Sequence, residues 1–182
     1  MKNTSGQFDE VISKCKEIYE KKMQDYGAAW RVLRPASLTD QIYIKAQRIR
    51  NVQLLGEQRI SDSITGEFMG IVNYAAMAVI QLQLGQVDKI DGDITCLLEK
   101  YDEVIAEAKK LMTDKNHDYG EAWRNMRVSS IDDIILMKLL RIKQIEDHKG
   151  KTIISEGVEA NYYDIINYAI FALIIIDEKE NN

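Results

Sequence analysis

Apolar side chains recur at helical spacing from the start of the chain. Phe8, Val11, Ile12, Cys15, Ile18 and Tyr19 form one stripe, with Glu10, Lys14 and Lys21 outside it, as in an amphipathic helix. Tyr101, Val104, Ile105, Ala108, Leu111 and Met112 repeat that stripe. Gly27 and Gly120 then supply the conformational freedom that ends a helix or turns the chain. A second helix is predicted after Ser37 and after Ser130, each followed three residues later by Asp40 or Asp133, a variant of the capping box. It runs to about Leu54 and about Asp147. A third, longer helix is predicted over about 60–83 and 153–177. The single proline, Pro35, and scarce period-2 alternation leave little room for strands.

The chain thus contains one pattern twice. At a constant separation of 93, Asp25–Arg48 aligns with Asp118–Arg141, and 12 of the 24 positions are identical. Asp25-Tyr26-Gly27-Ala28-Ala29-Trp30-Arg31 returns as Asp118-Tyr119-Gly120-Glu121-Ala122-Trp123-Arg124. One inserted residue later, Asn73-Tyr74-Ala75 matches Asn167-Tyr168-Ala169. The domain reading is a first repeat over 8–83, a linker over 84–96 rich in Gly85, Asp91, Gly92 and Asp93, and a second repeat over 97–177. Each half alone is small and buries proportionally little surface. Two copies are also too few for a solenoid. The expected fold is therefore all-α: a tandem duplication of a three-helix unit forming one pseudo-twofold helical bundle.

Composition narrows the class. The chain has 182 residues, 46% hydrophobic and 29% charged, the balance of a globular protein. A net charge of -5 argues against broad nucleic-acid coating, which needs a basic face. Cys15 and Cys96 are not repeat partners, so neither a disulfide framework nor a zinc site is expected. With no apolar core in Met1–Gly6 and no run of ~20 apolar residues, the expectation is cytoplasmic, with no membrane contact.

The third helix of the second repeat carries the most chemistry. At ~100° per residue, Glu156, Glu159, Tyr163, Asp164 and Asn167 fall within an arc of about 140°. Three carboxylates and a carboxamide offer oxygen ligands, which suits Mg²⁺ together with water and phosphate. The plainer reading is a solvated helix face. Glu156, Glu159 and Asp164 align with Asp62, Thr65 and Gly70, so the first repeat is read as the degenerate acidic site.

The second helix supplies cations. Lys138 and Arg141 lie within one turn and are repeated as Lys45 and Arg48. They suit phosphate oxygens, arginine as a fork and lysine as a point charge, or they pair with the acidic stripe. In the repeated turn, Tyr119 and Trp123 are placed to stack on a base, with His117 and Asp118 at the rim. The competing reading has the tryptophans capping the core and the aspartate serving the turn. Neither Ser/His/Asp nor Cys/His arrangements occur, nor a glycine fingerprint for phosphate.

Asp-Tyr-Gly, Trp, Ser, Asp, Lys-x-x-Arg, the acidic third helix and Asn-Tyr-Ala together resemble the nucleotide-modification-associated domain 1 family, a former domain of unknown function of phages and bacteria, here duplicated. That resemblance implies a relation to the all-α NTP pyrophosphatases of the MazG-like and dimeric dUTPase group. It implies Mg²⁺ held by Glu156, Glu159 and Asp164 as catalytic carboxylates. In that resemblance Lys138 and Arg141 would face the acids; the reading of the residues themselves adds Asn167, Asp118, Tyr119, Trp123, Lys45 and Arg48 as candidate substrate-binding positions. The chain departs from that group in one place: Lys138-Leu139-Leu140-Arg141 stands where the pyrophosphatases carry Glu-Glu-x-x-Glu. The expected function is nucleotide binding with Mg²⁺-dependent release of pyrophosphate. The alternative is a non-catalytic helical interaction or assembly module. The expected partners are a nucleotide or nucleoside phosphate and, for the intramolecular pseudo-dimer, further copies of itself.

Overall fold

The computed structural model describes residues 3–57, 59, 63–90, 93–154 and 156–181. Each repeat gives three helices: α1 (Thr4–Tyr26), α2 (Pro35–Leu55) and α3 (Ile64–Leu84), then α4 (Ile94–Tyr119), α5 (Val128–Asp147) and α6 (Val158–Glu180). Short 3-10 turns, Ala29–Val32 and Ala122–Asn125, join the first helix of each repeat to the second. Among the described residues there is no strand and no helix long and apolar enough to cross a membrane.

The helix starts follow local chemistry. Asn3, Ser63 and Asp93 cap α1, α3 and α4, each accepting a backbone N–H with its side chain, which satisfies one of the orphan donors of the first turn. The second helices begin earlier than the serine–aspartate pattern predicts. Arg34 and Arg127 are extended and make no side-chain cap bond, so Ser37 and Ser130 already lie inside α2 and α5. Pro35 explains the first case: it forces its predecessor out of the helical region and has no N–H to lose at the first helical position.

The third helices begin later than expected. Ser63 caps α3, and the expected start at 60–62 lies outside the described residues. Extended Gly157 opens α6, so Glu156 stands before the helix and not on its stripe. α3 ends at Leu84 and α4 begins at Ile94, which leaves 85–93 as the connection between repeats.

The core sits where α3 packs on α6 and α2 on α5, with α1 and α4 laid across that layer. Ile71 and Ile165, Val72 and Ile166, and Ala75 and Ala169 are equivalent pairs, all fully buried. Burying one such isoleucine contributes about 1.5–3 kcal/mol. Polar contacts repeat with the same symmetry. Asn73 Nδ2 donates to the Cys15 carbonyl at 2.9 Å, and Asn167 Nδ2 donates to the Ala108 carbonyl at 3.0 Å. Lys16 meets Asp102 at 2.7 Å and Lys109 meets Asp9 at 2.7 Å, so each first helix grips the other. Exposed pairs of this kind are worth roughly 0–1 kcal/mol. They report the pseudo-twofold arrangement more than they stabilise it.

Candidate functional site

The repeated Asp-Tyr-Gly-x-Ala-Trp-Arg segment is a device for turning the chain and delivering one aromatic ring inward. α1 and α4 end at Gly27 and Gly120, whose φ angles of 66° and 60° lie in the left-handed region that glycine enters at least cost. The 3-10 turn that follows buries Trp30 and Trp123, 8% and 7% exposed. Trp123 lies parallel to Phe171, ring centroids 4.2 Å apart, and its Nε1 donates to Asn116 Oδ1 at 3.1 Å. The packing reading of the tryptophans therefore holds. Arg124 fastens the same turn: it donates to Glu178 at 2.8 Å and to Gln7 at 2.7 Å, joining α6, α1 and the turn.

Each tryptophan is also a wall of a cavity. In the second repeat a cavity of about 360 Å³ lies among Lys115, Tyr119, Trp123, Asp164, Asn167 and Tyr168. In the first, a cavity of about 320 Å³ is bounded by the matching Lys22, Tyr26, Trp30, Gly70, Asn73 and Tyr74. Both volumes suit small-molecule sites, which run ~300–1,000 Å³. Tyr119 is 73% exposed at the mouth. Asp118 lies outside these walls, exposed and beside His117 Nδ1 at 3.1 Å.

An ion pair separates this cavity from a second opening. Lys138 Nζ donates to Asp164 Oδ2 at 2.7 Å, and Lys115 Nζ donates to Asp164 Oδ1 at 2.6 Å. Burial works to raise the Asp164 pKa, but the two lysines outweigh it and hold the carboxyl below its ordinary value. Beyond the pair, a groove of about 830 Å³ is lined by Lys138, Arg141, His148, Lys151, Glu156 and Asn161, among others. Arg141 is exposed. The groove is basic on balance, with Glu156 the one carboxylate among its described lining residues.

The first repeat builds the same ion pair from a different position. Lys45 and Arg48 reach Glu67 at 3.1 Å and 2.6 Å. Glu67 aligns with Asn161, and the position aligned with Asp164 is Gly70. The Lys45 stem lies against that glycine: a Cβ at position 70 would meet Lys45 Cε at 2.8 Å. The acid has moved one helical turn while the lysine stayed. Position-by-position alignment misses Glu67 for that reason. The available signal was a carboxylate three residues before Gly70, on the same helix face. Lys115 was legible too, as the repeat partner of Lys22.

The predicted Mg²⁺ cage is not brought together. Glu156 precedes α6, exposed Glu159 accepts from Gln83 Nε2 at 3.0 Å, and Asp164 is held by two lysines. Among the described residues, no group of three or more His, Cys, Asp or Glu is placed to hold a metal ion. Its first-repeat counterpart Asp62 lies outside the described residues. Asn167 lines the cavity but fixes helix packing through its Nδ2.

No curated protein and no solved structure matches this sequence. The pattern of the nucleotide modification associated domain 1 family matches twice, over residues 22–82 and 115–176. These matches frame both tryptophan cavities and both lysine–carboxylate pairs and cover more than half of the chain, which belongs to the nucleotide modification associated domain 1 family as an internal duplication.

Proposed function

We propose that the second repeat binds a nucleoside phosphate, its base entering the Trp123 cavity and its phosphates lying along the Lys138–Arg141 groove. The observation that carries this reading is the Lys138–Asp164 pair. It stands between an aromatic cavity and a basic groove, the two surfaces that the two ends of a nucleotide require. Tyr119 and Tyr168 offer ring faces, while Arg141, His148 and Lys151 offer phosphate donors. Phosphate can draw Lys138 away from Asp164 because Lys115 still neutralises that carboxylate. The proposal stops at binding. The carboxylates needed to hold a metal are dispersed, so no hydrolytic step is assigned.

Tryptophan fluorescence tests this directly. Trp30→Phe leaves Trp123 as the single reporter, titrated with nucleoside triphosphates, monophosphates and inorganic phosphate, each with and without Mg²⁺. Saturable change with nucleotides is expected, weakened about tenfold or more by Arg141→Ala, the scale of a charge-assisted hydrogen bond. A flat response across the panel would favour a helical interaction module.

A further inference from the structure

We infer that the outer face of α2 and α5 is the contact surface for a second copy of this chain. The inference is independent of the nucleotide reading, because it uses none of the residues assigned there. α2 and α5 pack on each other and on α3 and α6, which leaves each with one side toward solvent. That side is apolar where solvent calls for polar groups. Ile44, Leu54 and Leu140 are 60%, 75% and 52% exposed, and Met137 is exposed as well. Around α2, Ile44 and Leu54 lie about 80° apart, and around α5, Met137 and Leu140 lie about 60° apart. Each pair therefore marks one face of its helix. α1 and α4 provide the contrast within the same molecule. Their only exposed large apolar residues are the terminal tyrosines, Tyr26 and Tyr119. Exposed apolar side chains gathered on one face mark an interaction surface.

Charge identifies the occupant. α2 and α5 run antiparallel: Lys143 meets Asp40 at 2.6 Å at one end, and Arg50 meets Asp133 at 3.8 Å at the other. Asp40 falls between Ile44 and Leu54 around α2, and Asp133 between Met137 and Leu140 around α5. The ion pairs thus belong to the same face as the apolar residues. Along each helix the acid and the base are about 15 Å apart. The four charges therefore occupy corners of alternating sign. A second copy, turned over about either axis in the plane of the face, lays every acid over a base. The apolar side chains between the corners then cover one another. This self-complementarity, which follows from the duplication, is what a twofold interface requires. The area is sufficient as well. Helices of 21 and 20 residues make a face ~30 Å by ~20 Å, about 1,200 Å² over both copies, which reaches the size of stable interfaces.

Sedimentation velocity of the full chain over a micromolar concentration series tests this. A concentration-dependent dimer is expected. Ile44→Glu and Leu140→Glu should each weaken it about tenfold or more, the scale of a central interface residue. Both side chains are exposed in the single chain, so circular dichroism and the thermal midpoint at low concentration should not change. Charge-swapped variants then identify the partner. Asp40→Lys with Asp133→Lys makes all four corners basic, and Arg50→Glu with Lys143→Glu makes all four acidic. Each double variant alone should be monomeric, and an equimolar mixture of the two should dimerise. A chain that stays monomeric at every concentration overturns the inference and leaves the face to a different partner. A dimer untouched by both glutamate variants, or a mixture no more associated than its components, overturns it as well.

Discussion

Tyr101 donates its hydroxyl to Asn73 Oδ1 at 2.8 Å, tying the first helix of the second repeat to the third helix of the first. The symmetric bond is missing. Phe8 stands at the position matching Tyr101, and Asn167 Oδ1 has no partner. Tyr101→Phe should therefore cost about 1–3 kcal/mol, the penalty for orphaning a buried acceptor. Phe8→Tyr should offset part of the Asn167 penalty. Denaturant unfolding with unchanged m-values measures both. An unaltered midpoint in Tyr101→Phe would show that the bond contributes nothing net.

The shift of the acid from Glu67 to Asp164 predicts a rescue. Asp164→Gly leaves Lys138 and Lys115 without their shared carboxylate and adds a helix glycine, which alone costs ~1 kcal/mol. Asn161→Glu in that background recreates the Lys45–Glu67–Gly70 arrangement. The double variant should recover stability, with a favourable coupling of about 1–3 kcal/mol in the four-member cycle. Additive effects would mean that the two repeats hold their lysines for unrelated reasons.

The helix stripes and the duplication were legible because burial period is a local signal, carried by residues such as Phe8 and Val11 and their partners Tyr101 and Val104. The helix starts were less so. Ser37 and Asp40 fit a capping pattern, but Pro35 and the extended Arg34 had already begun the helix. The acidic stripe failed for a related reason: one glycine, Gly157, takes Glu156 off the helix. The cavities were half-legible. Repetition marked Tyr119, Trp123, Lys138, Asn167 and, through Lys22, Lys115, whereas the ion pairs that Glu67 and Lys115 close emerge only when helices from different parts of the chain are brought together.

Asp132 should give the protein a pH-dependent stability. Its carboxyl is fully buried with neither oxygen paired. Burial, with the nearby Asp133 charge adding, pushes its pKa from 3.8 to about 7. The matching residue in the first repeat, Thr39, is hydrogen-bonded to Tyr162, whose own counterpart is Phe68, a ring with no hydroxyl. The folded state binds the proton more tightly than the unfolded one, so this group's contribution falls as pH rises from about 4 to about 7, then levels. Asp132→Thr should flatten that part of the stability profile and raise stability most above neutral pH. A parallel profile in the variant would remove Asp132 as the cause.

Magnesium alone should bind weakly, because the carboxylate best placed to receive it is already neutralised. Asp164 carries Lys138 on one oxygen and Lys115 on the other, at 2.7 Å and 2.6 Å, and a divalent ion must displace both while giving up part of its hydration shell. Glu156 stands off the helix and Glu159 bonds to Gln83, so neither adds an anchored donor. Calorimetry of the ligand-free protein with Mg²⁺ should show no saturable heat at concentrations that saturate the nucleotide. Lys115→Met should increase Mg²⁺ affinity by freeing one oxygen, and Asp164→Asn should abolish that gain. Tight Mg²⁺ binding by the unaltered protein, lost in Asp164→Asn, would instead show that the lysines yield to the ion and that the three acids close around it.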